Sequence, residues 1–210
     1  MPFIDPDFLL TEKKIVSRLL ITCADDSDVL KHSFELAKFW SAKGNSVLWV
    51  DGNLGEHQLD TEKENPDLEK VLKGQIPLTH IIRQVQGISV VTGRANLCLA
   101  EVNEIKQYQF LQDLGDIYSN YDKVILTVDG KNPALQKKWM KDIENIYLLF
   151  SAKNLLLGRT LNWLKENPAN AKGLIGIGRN DQEVLLAYMR LKEILENVPE
   201  LILDIKKIAP

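Results

Sequence analysis

Acidic side chains dominate the loop that follows the first apolar run of the chain. Asp25, Asp26, Ser27 and Asp28 lie here, with Lys31 three residues further on, and the loop contains no glycine. A loop that cradles phosphates needs glycines, whose backbone N–H groups approach the ligand, together with a lysine and a Ser or Thr for magnesium. Aspartates at short range would repel a phosphate. We therefore interpret Asp28 or Ser27 as the N-cap of the next helix.

Two further loops begin with a carboxylate directly after an apolar run. Asp51 follows Ser46–Val50, and an aspartate in this place either contacts a metal, water or ribose or simply starts a loop. The residue by itself leaves both interpretations open. Asp129 and Gly130 follow Lys123–Val128, and an Asp-Gly pair in this place is typical of a turn. We predict a turn there.

Histidine and cysteine spacing gives no support for metal binding or nucleophilic catalysis. His32, His57 and His80 have no metal-like spacing with each other or with Cys23 and Cys98. A pair of Cys23 and His32 lacks the third group that would orient the histidine. Both cysteines lie in apolar runs, so we predict two reduced core residues. The four tryptophans are likewise predicted to be core residues.

Composition excludes several classes of protein. The chain has 210 residues, of which 45% are hydrophobic and 26% charged, with a net charge of −3. This charge argues against an extended nucleic-acid footprint. No run approaches the roughly 18 apolar residues of a membrane span, and no secretory leader is recognisable, so we expect a cytoplasmic protein. The tail Leu201–Pro210 is a weak membrane signal at most and is predicted to pack as a strand or helix.

Short apolar runs alternate along the chain with longer amphipathic ones. The runs predicted as strands are Arg18–Cys23, Ser46–Val50, Ile88–Thr92, Lys123–Val128, Ile146–Ser151 and Leu174–Ile177. The predicted helices are Val29–Ala42, Glu104–Asn120, Pro133–Glu144, Leu155–Glu166 and Gln182–Asn197, with two short helices in Leu68–Ile82 broken at Pro77. This alternation predicts an α/β fold, a three-layer α/β/α domain over residues 1–210 with a mainly parallel sheet. Ligands of such folds bind at the carboxyl ends of the strands, where the loops discussed above lie.

Several ordered segments resemble the MinD/ParA family of P-loop ATPases. The run LLITC ending at Cys23 is similar to the family's first strand, and the segment from Ala42 to Asp51 to the helix end and second strand that follow its phosphate loop. Asp51-Gly-Asn53-Leu-Gly followed by Leu-Asp resembles the family's D-x-D-x-G…L-D switch. The run YDKVIL, ending one residue before Thr127, resembles the strand before its magnesium-site aspartate. The resemblance implies a P-loop NTPase-like fold of the SIMIBI type.

The departures from the family pattern fall on the residues that perform its chemistry. The glycine-rich phosphate loop is replaced, and Asp25 stands where the family has the lysine that crosses its ATP dimer. Asn53 replaces an aspartate that orients the attacking water, and Thr127 replaces the magnesium-site aspartate. Gly130 remains from the γ-phosphate sensor, and Asn180 is similar in position to an adenine contact. Hydrolysis of the family's kind needs all these groups together.

The resemblance and its departures together predict a catalytically inactive regulatory or scaffolding module. The segments resemble the family's flagellar-number regulators FlhG, FleN and YlxH about as well as MinD. The module would therefore bind protein partners in flagellar, cell-pole or division placement. We expect no cofactor, no metal and no ATP-driven dimer, although another kind of homodimer is possible. One alternative is a residual ATPase that uses magnesium and ATP, with Lys31, Asp51 and Asp129 as its candidate catalytic residues. Another alternative is a ParA-like DNA partition factor. Any bound nucleotide would meet the remnant loop residues, namely Asp25, Asp26, Ser27, Lys31, Asp51, Asn53, Thr127, Asp129 and Gly130.

Overall fold

The computed structural model describes residues 18–24, 29–53, 66–92, 103–130, 133–141, 143, 145–167 and 171–203. The strands within these ranges are β1 (Arg18–Cys23), β2 (Val47–Asp51), β3 (Arg83–Val85), β4 (Ile88–Val91), β5 (Lys123–Val128), β6 (Ile146–Ser151), β7 (Ala171–Ile177) and β8 (Glu200–Ile202). The helices are α1 (Val29–Ala42), α2 (Pro66–Leu72), α3 (Glu104–Tyr118), α4 (Pro133–Met140), α5 (Asn154–Glu166) and α6 (Asp181–Ile194), with a 3₁₀ helix at Leu78–Ile81.

The strands of the described ranges form one sheet in the order β3-β4-β2-β5-β1-β6-β7-β8. Neighbouring strands are parallel except at the β3–β4 edge, where they form an antiparallel hairpin. Asp51 at the end of β2 lies beside Thr127 of β5, and Thr22 of β1 lies beside Val128. The carboxyl ends of these three central strands therefore meet at one edge of the sheet.

Alternate residues of each central strand face opposite layers, as the period of a strand requires. In β1, Leu19 and Ile21 pack with α1, whereas Leu20 packs with α3 and with the region of α2 and the 3₁₀ helix. The helix α1 has apolar residues at helical spacing and buries Phe34, Leu36, Ala37 and Trp40 against the sheet. On the opposite face, α5 and α6 continue the layer of α3 over β6 and β7. Helices on both faces confirm the predicted three-layer α/β/α fold.

Every run predicted as a strand forms one, with ends that shift by up to three residues. The break of the short helices at Pro77 is confirmed, because the 3₁₀ helix begins after it. Three predicted helices are too long: the one from Glu104 ends at Tyr118, the one from Pro133 ends at Met140, and the last ends at Ile194. The hairpin strand β3 was not predicted. Its turn places Gln86 at φ 52° and Gly87 at φ 81°, a conformation that glycine favours and glutamine rarely adopts.

Several residues predicted to lie in the core do so. Cys23 is buried and forms no disulfide, and Trp40, Trp49, Trp139 and Trp163 are all buried. Cys98 and His57 lie outside the described residues, as do Asp28 and the tail beyond residue 203. No helix in the described ranges combines the length and apolar character needed to cross a bilayer.

Candidate functional site

The loop after β2 folds back on itself through the side chain of Asp51. One carboxylate oxygen, Oδ1, accepts hydrogen bonds from the backbone N–H of Asn53 at 3.0 Å and from its side-chain Nδ2 at 3.2 Å. The N–H of Gly52 donates to the carbonyl of Thr127 at 2.7 Å, which ties the loop to β5. The first turn of this loop is therefore fixed by hydrogen bonds from both its side chains and its backbone.

Asn53 also joins the β2 loop to the loop after β5. Its Oδ1 accepts the N–H of Asp129 at 3.2 Å. Asp51, Asn53 and Asp129 are exposed by only 1%, 0% and 6%, respectively. Polar groups that lose water this completely need protein partners, and the amide of Asn53 supplies one to Asp51 Oδ1 and one to the backbone N–H of Asp129. The structure thus brings three of the predicted site residues together as one bridge between two loops.

Thr127 points toward α1 rather than toward the open edge of the sheet. Its hydroxyl donates to Ser33 Oγ at 2.8 Å, and the same Ser33 oxygen accepts the indole N–H of Trp49 at 2.9 Å. Ser33 in turn donates to the carbonyl of Leu30 at 2.9 Å. The Thr127 side chain is therefore part of the packing between α1 and the sheet.

Gln136 of α4 fills the space beside the carboxyl end of β1. Its Nε2 donates to Thr22 Oγ1 and, at 3.2 Å, to the carbonyl of Cys23, while its Oε1 accepts the indole N–H of Trp163 at 3.0 Å. Thr22 Oγ1 donates to the carbonyl of Val128 at 2.7 Å. One buried glutamine thus connects β1, α4 and α5, and through Thr22 also β5.

Two glycines allow backbone segments at this edge to touch. A Cβ atom on Gly130 would lie 2.5 Å from the carbonyl oxygen of Cys23 and 3.2 Å from the carbonyl carbon of Ala24. A Cβ atom on Gly52 would lie 2.6 Å from Val128 Cγ2 and 2.9 Å from the carbonyl oxygen of Thr127. The loop after β5 therefore packs directly on the start of the first loop.

The predicted site residues divide into three groups. Asp25, Asp26 and Ser27 lie outside the described residues. Lys31 is exposed in the first turn of α1. The others, Asp51, Asn53, Thr127, Asp129 and Gly130, gather at the carboxyl edge of the central strands. Within the described residues, no group of three His, Cys, Asp or Glu side chains could hold a metal ion.

Sequence reasoning missed the residues that complete this edge. Gln136 stands in the stretch LQKKW on an amphipathic helix, where nothing distinguishes it from a solvated glutamine. Ser33 stands among the apolar residues of α1, and only its neighbours show that it joins Thr127 to Trp49. Asn180 caps α6, because its Oδ1 accepts the N–H of Glu183 at 2.9 Å.

No protein-family model matches the sequence, and no curated protein is significantly similar to it in sequence. A solved structure with the same fold is a ParA family ATPase from Chlorobium tepidum, with 14% identity, 88% of this chain and 82% of that chain covered, and a TM-score of 0.66. A second is a MinC:MinD cell division protein complex from Aquifex aeolicus, with 16% identity, 89% and 81% of the two chains covered, and a TM-score of 0.65. A third is cobyrinic acid a,c-diamide synthase from Mycobacterium smegmatis with a bound ATP analogue and magnesium, with 14% identity, 87% and 83% of the two chains covered, and a TM-score of 0.64.

The chain has the MinD/ParA fold. At these identities the likeness establishes the fold alone, and it confirms the fold that the sequence segments predicted. In open α/β sheets, ligands bind beyond the carboxyl ends of the strands. In this chain, that edge of the sheet carries Asp51, Asn53, Thr127 and Asp129.

Proposed function

We propose that this MinD/ParA-like protein does not hydrolyse ATP and acts as a regulatory or scaffolding module that binds protein partners. The observation that carries the proposal is the hydrogen bond from Thr127 to Ser33, at the position where the family holds its magnesium. The setting we propose is flagellar, cell-pole or division placement. A MinD structure of this fold exists in complex with MinC, which supports a protein partner.

Thr127 supports the absence of a magnesium site of the family's kind. Magnesium prefers carboxylate and phosphate oxygens in a near-octahedral arrangement. The Thr127 side chain is uncharged, completely buried and directed at Ser33 in the layer between β5 and α1. Asp51 and Asp129 do provide carboxylates at this edge, but both belong to loops that are linked through Asn53. These contacts support our proposal that no magnesium nucleotide is used.

Asn53 supports the absence of a positioned water. Its side chain donates to Asp51 and accepts from the N–H of Asp129, so both ends of the amide are engaged within the protein. An amide held this way cannot turn toward an attacking water without breaking a buried hydrogen bond, which costs about 1–3 kcal/mol. Hydrolysis of the family's kind combines a phosphate cradle, magnesium and an oriented water. The first of these is replaced in the sequence by Asp25 and Asp26.

The test is a thermal-shift and isothermal-titration series with millimolar ATP, ADP and GTP, each with magnesium. A ligand at 100 times its Kd stabilises a protein by about 2.7 kcal/mol, which raises Tm by several degrees for a chain of this size. We expect no saturable shift and no phosphate release.

Asp51→Ala is the matched variant for the ATPase alternative. Saturable binding of a magnesium nucleotide, or turnover that Asp51→Ala abolishes, would refute the proposal and favour the residual ATPase. DNA binding that weakens steeply with salt would favour the partition factor instead.

A further inference from the structure

Helix α6 has apolar residues on two opposite sides. Val184, Ala187 and Leu191 are buried against the sheet layer. Leu185, Leu186 and Met189 are exposed by 48%, 54% and 51%. Among the described residues, six large apolar side chains are exposed to this degree, and α6 carries four of them, the fourth being Ile194. A helix at the surface of a domain normally presents polar residues outward, so contiguous apolar exposure marks a contact surface.

The exposed residues form one stripe along the outer side of α6. At 100° per residue, Leu185, Leu186 and Met189 project within a sector about 100° wide, centred opposite the buried residues. We call these three residues the outer stripe. The stripe has the width and spacing of the apolar face through which a helix packs on another helix.

Four charges flank the outer stripe in a self-complementary order, and the exposed Gln182 and Glu193 lie in the sector of the stripe beyond its two ends. Asp181 and Lys192 lie along one side of the stripe, and Glu183 and Arg190 lie along the other. On both sides the acidic residue is near the start of the helix and the basic residue near its end. Both pairs are centred on the same point, between residues 186 and 187.

We propose that the protein forms a two-fold homodimer in which α6 packs antiparallel on α6 of a second copy. A two-fold axis beside residues 186 and 187 brings the same side of each helix together with its direction reversed. Asp181 then faces Lys192 of the second copy, and Glu183 faces Arg190. A parallel arrangement would instead place the acidic residues of the two copies against each other, and the basic residues likewise. Unlike pairs across an interface fix its register, whereas like pairs oppose it.

The surroundings of α6 are compatible with this arrangement. A groove of about 210 Å³ adjoins the stripe and is lined by Ala152, Lys153, Glu183, Leu186, Ala187 and Arg190. Because the axis passes beside Leu186, the Leu186 side chain of the second copy reaches this groove. Glu183 Oε2 already accepts the N–H of Arg179 at 2.9 Å, which holds its carboxylate near the start of the helix. The Lys192 ammonium lies 5.3 Å from the Tyr188 ring centroid.

The expected dimer is weak and does not need nucleotide. Helix α6 has 14 residues and is about 21 Å long, so one helix pair buries an area at the low end of specific interfaces. We expect a dissociation constant on the order of micromolar. The inference does not depend on the proposed function, because none of Asp51, Asn53 and Thr127 contributes to it.

The test is sedimentation equilibrium of the full chain with EDTA and without nucleotide. The concentration runs from about 1 to about 200 micromolar, which brackets the expected micromolar Kd. We expect a reversible monomer–dimer equilibrium. Leu185→Glu should remove the dimer while leaving the Tm unchanged, since Leu185 is half-exposed. Ile105→Glu is the matched control, because Ile105 is an exposed apolar residue on α3, outside the stripe. It should leave the equilibrium unchanged.

A charge exchange tests the antiparallel register. Arg190→Glu should weaken the dimer at least about tenfold, since it places like charges together at two symmetric points. The double variant Glu183→Arg with Arg190→Glu should restore it. A monomer at every concentration, a dimer that survives Leu185→Glu, or a double variant no tighter than the single one would overturn the proposal. Capture of a different protein by a monomeric chain would also overturn it.

Discussion

The two ends of the central sheet treat polar side chains in opposite ways. At the carboxyl end, Asp51, Asn53 and Thr127 are buried and bonded to other parts of the protein. At the amino end, the exposed carboxylate of Asp122 accepts the backbone N–H of Ser46 at 2.8 Å and its hydroxyl at 2.7 Å. Among the described residues, Asp51, Asn53 and Thr127 at the end that usually opens toward a ligand are more deeply buried than Asp122 at the other end.

This difference teaches where substitutions should matter. A buried polar group that loses its partner costs the full desolvation of that group, whereas an exposed one regains water. Lys123, next to Asp122, is the one strongly buried charge at the amino end within the described residues, and its ammonium lies 5.6 Å from the Trp40 ring centroid. Burial lowers the pKa of Lys123, and the charge of Asp122 partly opposes this effect. We therefore expect large effects at the carboxyl end and small ones at Asp122.

The largest effect is expected for Gly52→Ala. The added Cβ would meet Val128 Cγ2 at 2.6 Å and the carbonyl oxygen of Thr127 at 2.9 Å, and the second contact is with backbone that cannot move freely. We expect a loss of about 3 kcal/mol in the free energy of unfolding, measured in urea.

Gly158→Ala is the control for this substitution. Gly158 lies inside α5, and a Cβ atom added there would meet no other atom within 4 Å, so the variant should gain about 0.5–1 kcal/mol. If Gly52→Ala behaved like Gly158→Ala, the carboxyl end would be looser than the structure has it.

The next largest effect is expected for Gln136→Met. The substitution keeps the size of the side chain but leaves the indole N–H of Trp163 and the carbonyl of Cys23 without this partner. We expect a loss of about 2 kcal/mol in the free energy of unfolding. Gln109→Met on the exposed side of α3 should change stability by less than about 0.5 kcal/mol.

A double-mutant cycle sharpens this prediction. Gln136→Met leaves the indole N–H of Trp163 unsatisfied, and adding Trp163→Phe removes that N–H. The double variant should therefore lose less unfolding free energy than the sum of the losses in the two single variants. Additive losses would mean that the hydrogen bond between these side chains contributes nothing of its own.

The smallest effect is expected at the amino end, and it depends on pH. The hydrogen bonds from the Ser46 backbone and hydroxyl lower the pKa of Asp122 below its ordinary value of 3.8. The folded protein therefore holds the Asp122 proton less tightly than the unfolded chain does. The stabilisation is fully present above the ordinary pKa and is lost as pH falls through the lowered pKa.

Asp122→Asn measures this contribution. The difference in unfolding free energy between the wild type and Asp122→Asn should be largest near pH 7 and should shrink as pH falls below 4 (about the ordinary aspartate pKa). A difference that stays constant between neutral and acid pH would show that the carboxylate charge is not what Ser46 recognises.

Sequence patterns were sufficient to predict the long central elements. The continuous apolar runs of β1, β5 and β6 are typical of strands covered on both faces, and their bounds were predicted to the residue. The short strand β3 was beyond sequence reasoning, since three residues carry too little periodicity. The strand β8 lies at the start of the tail that was predicted to pack as a strand or helix. The β3 turn also uses Gln86 where an asparagine would have signalled the hairpin.

The candidate site was predictable as a place but not as an arrangement. Because parallel strands end at a common edge, the positions of Asp51, Thr127 and Asp129 after their runs were enough to bring them together. The direction of Thr127 toward Ser33, and the use of Gln136 by Trp163, depend on residues 94 and 27 positions apart in the chain. No local pattern encodes contacts of that range.

Local periodicity and residue types were enough to predict the α/β class, the central strands and the chemistry available at the carboxyl edge. Which of those side chains face a neighbour and which face solvent depends on the tertiary structure. Hydrogen bonding and burial depend on elements far apart in the chain, such as α1 against β5 and α4 against β1. The helix α6 is a further case, because only the burial of Val184, Ala187 and Leu191 shows that the outer stripe faces solvent.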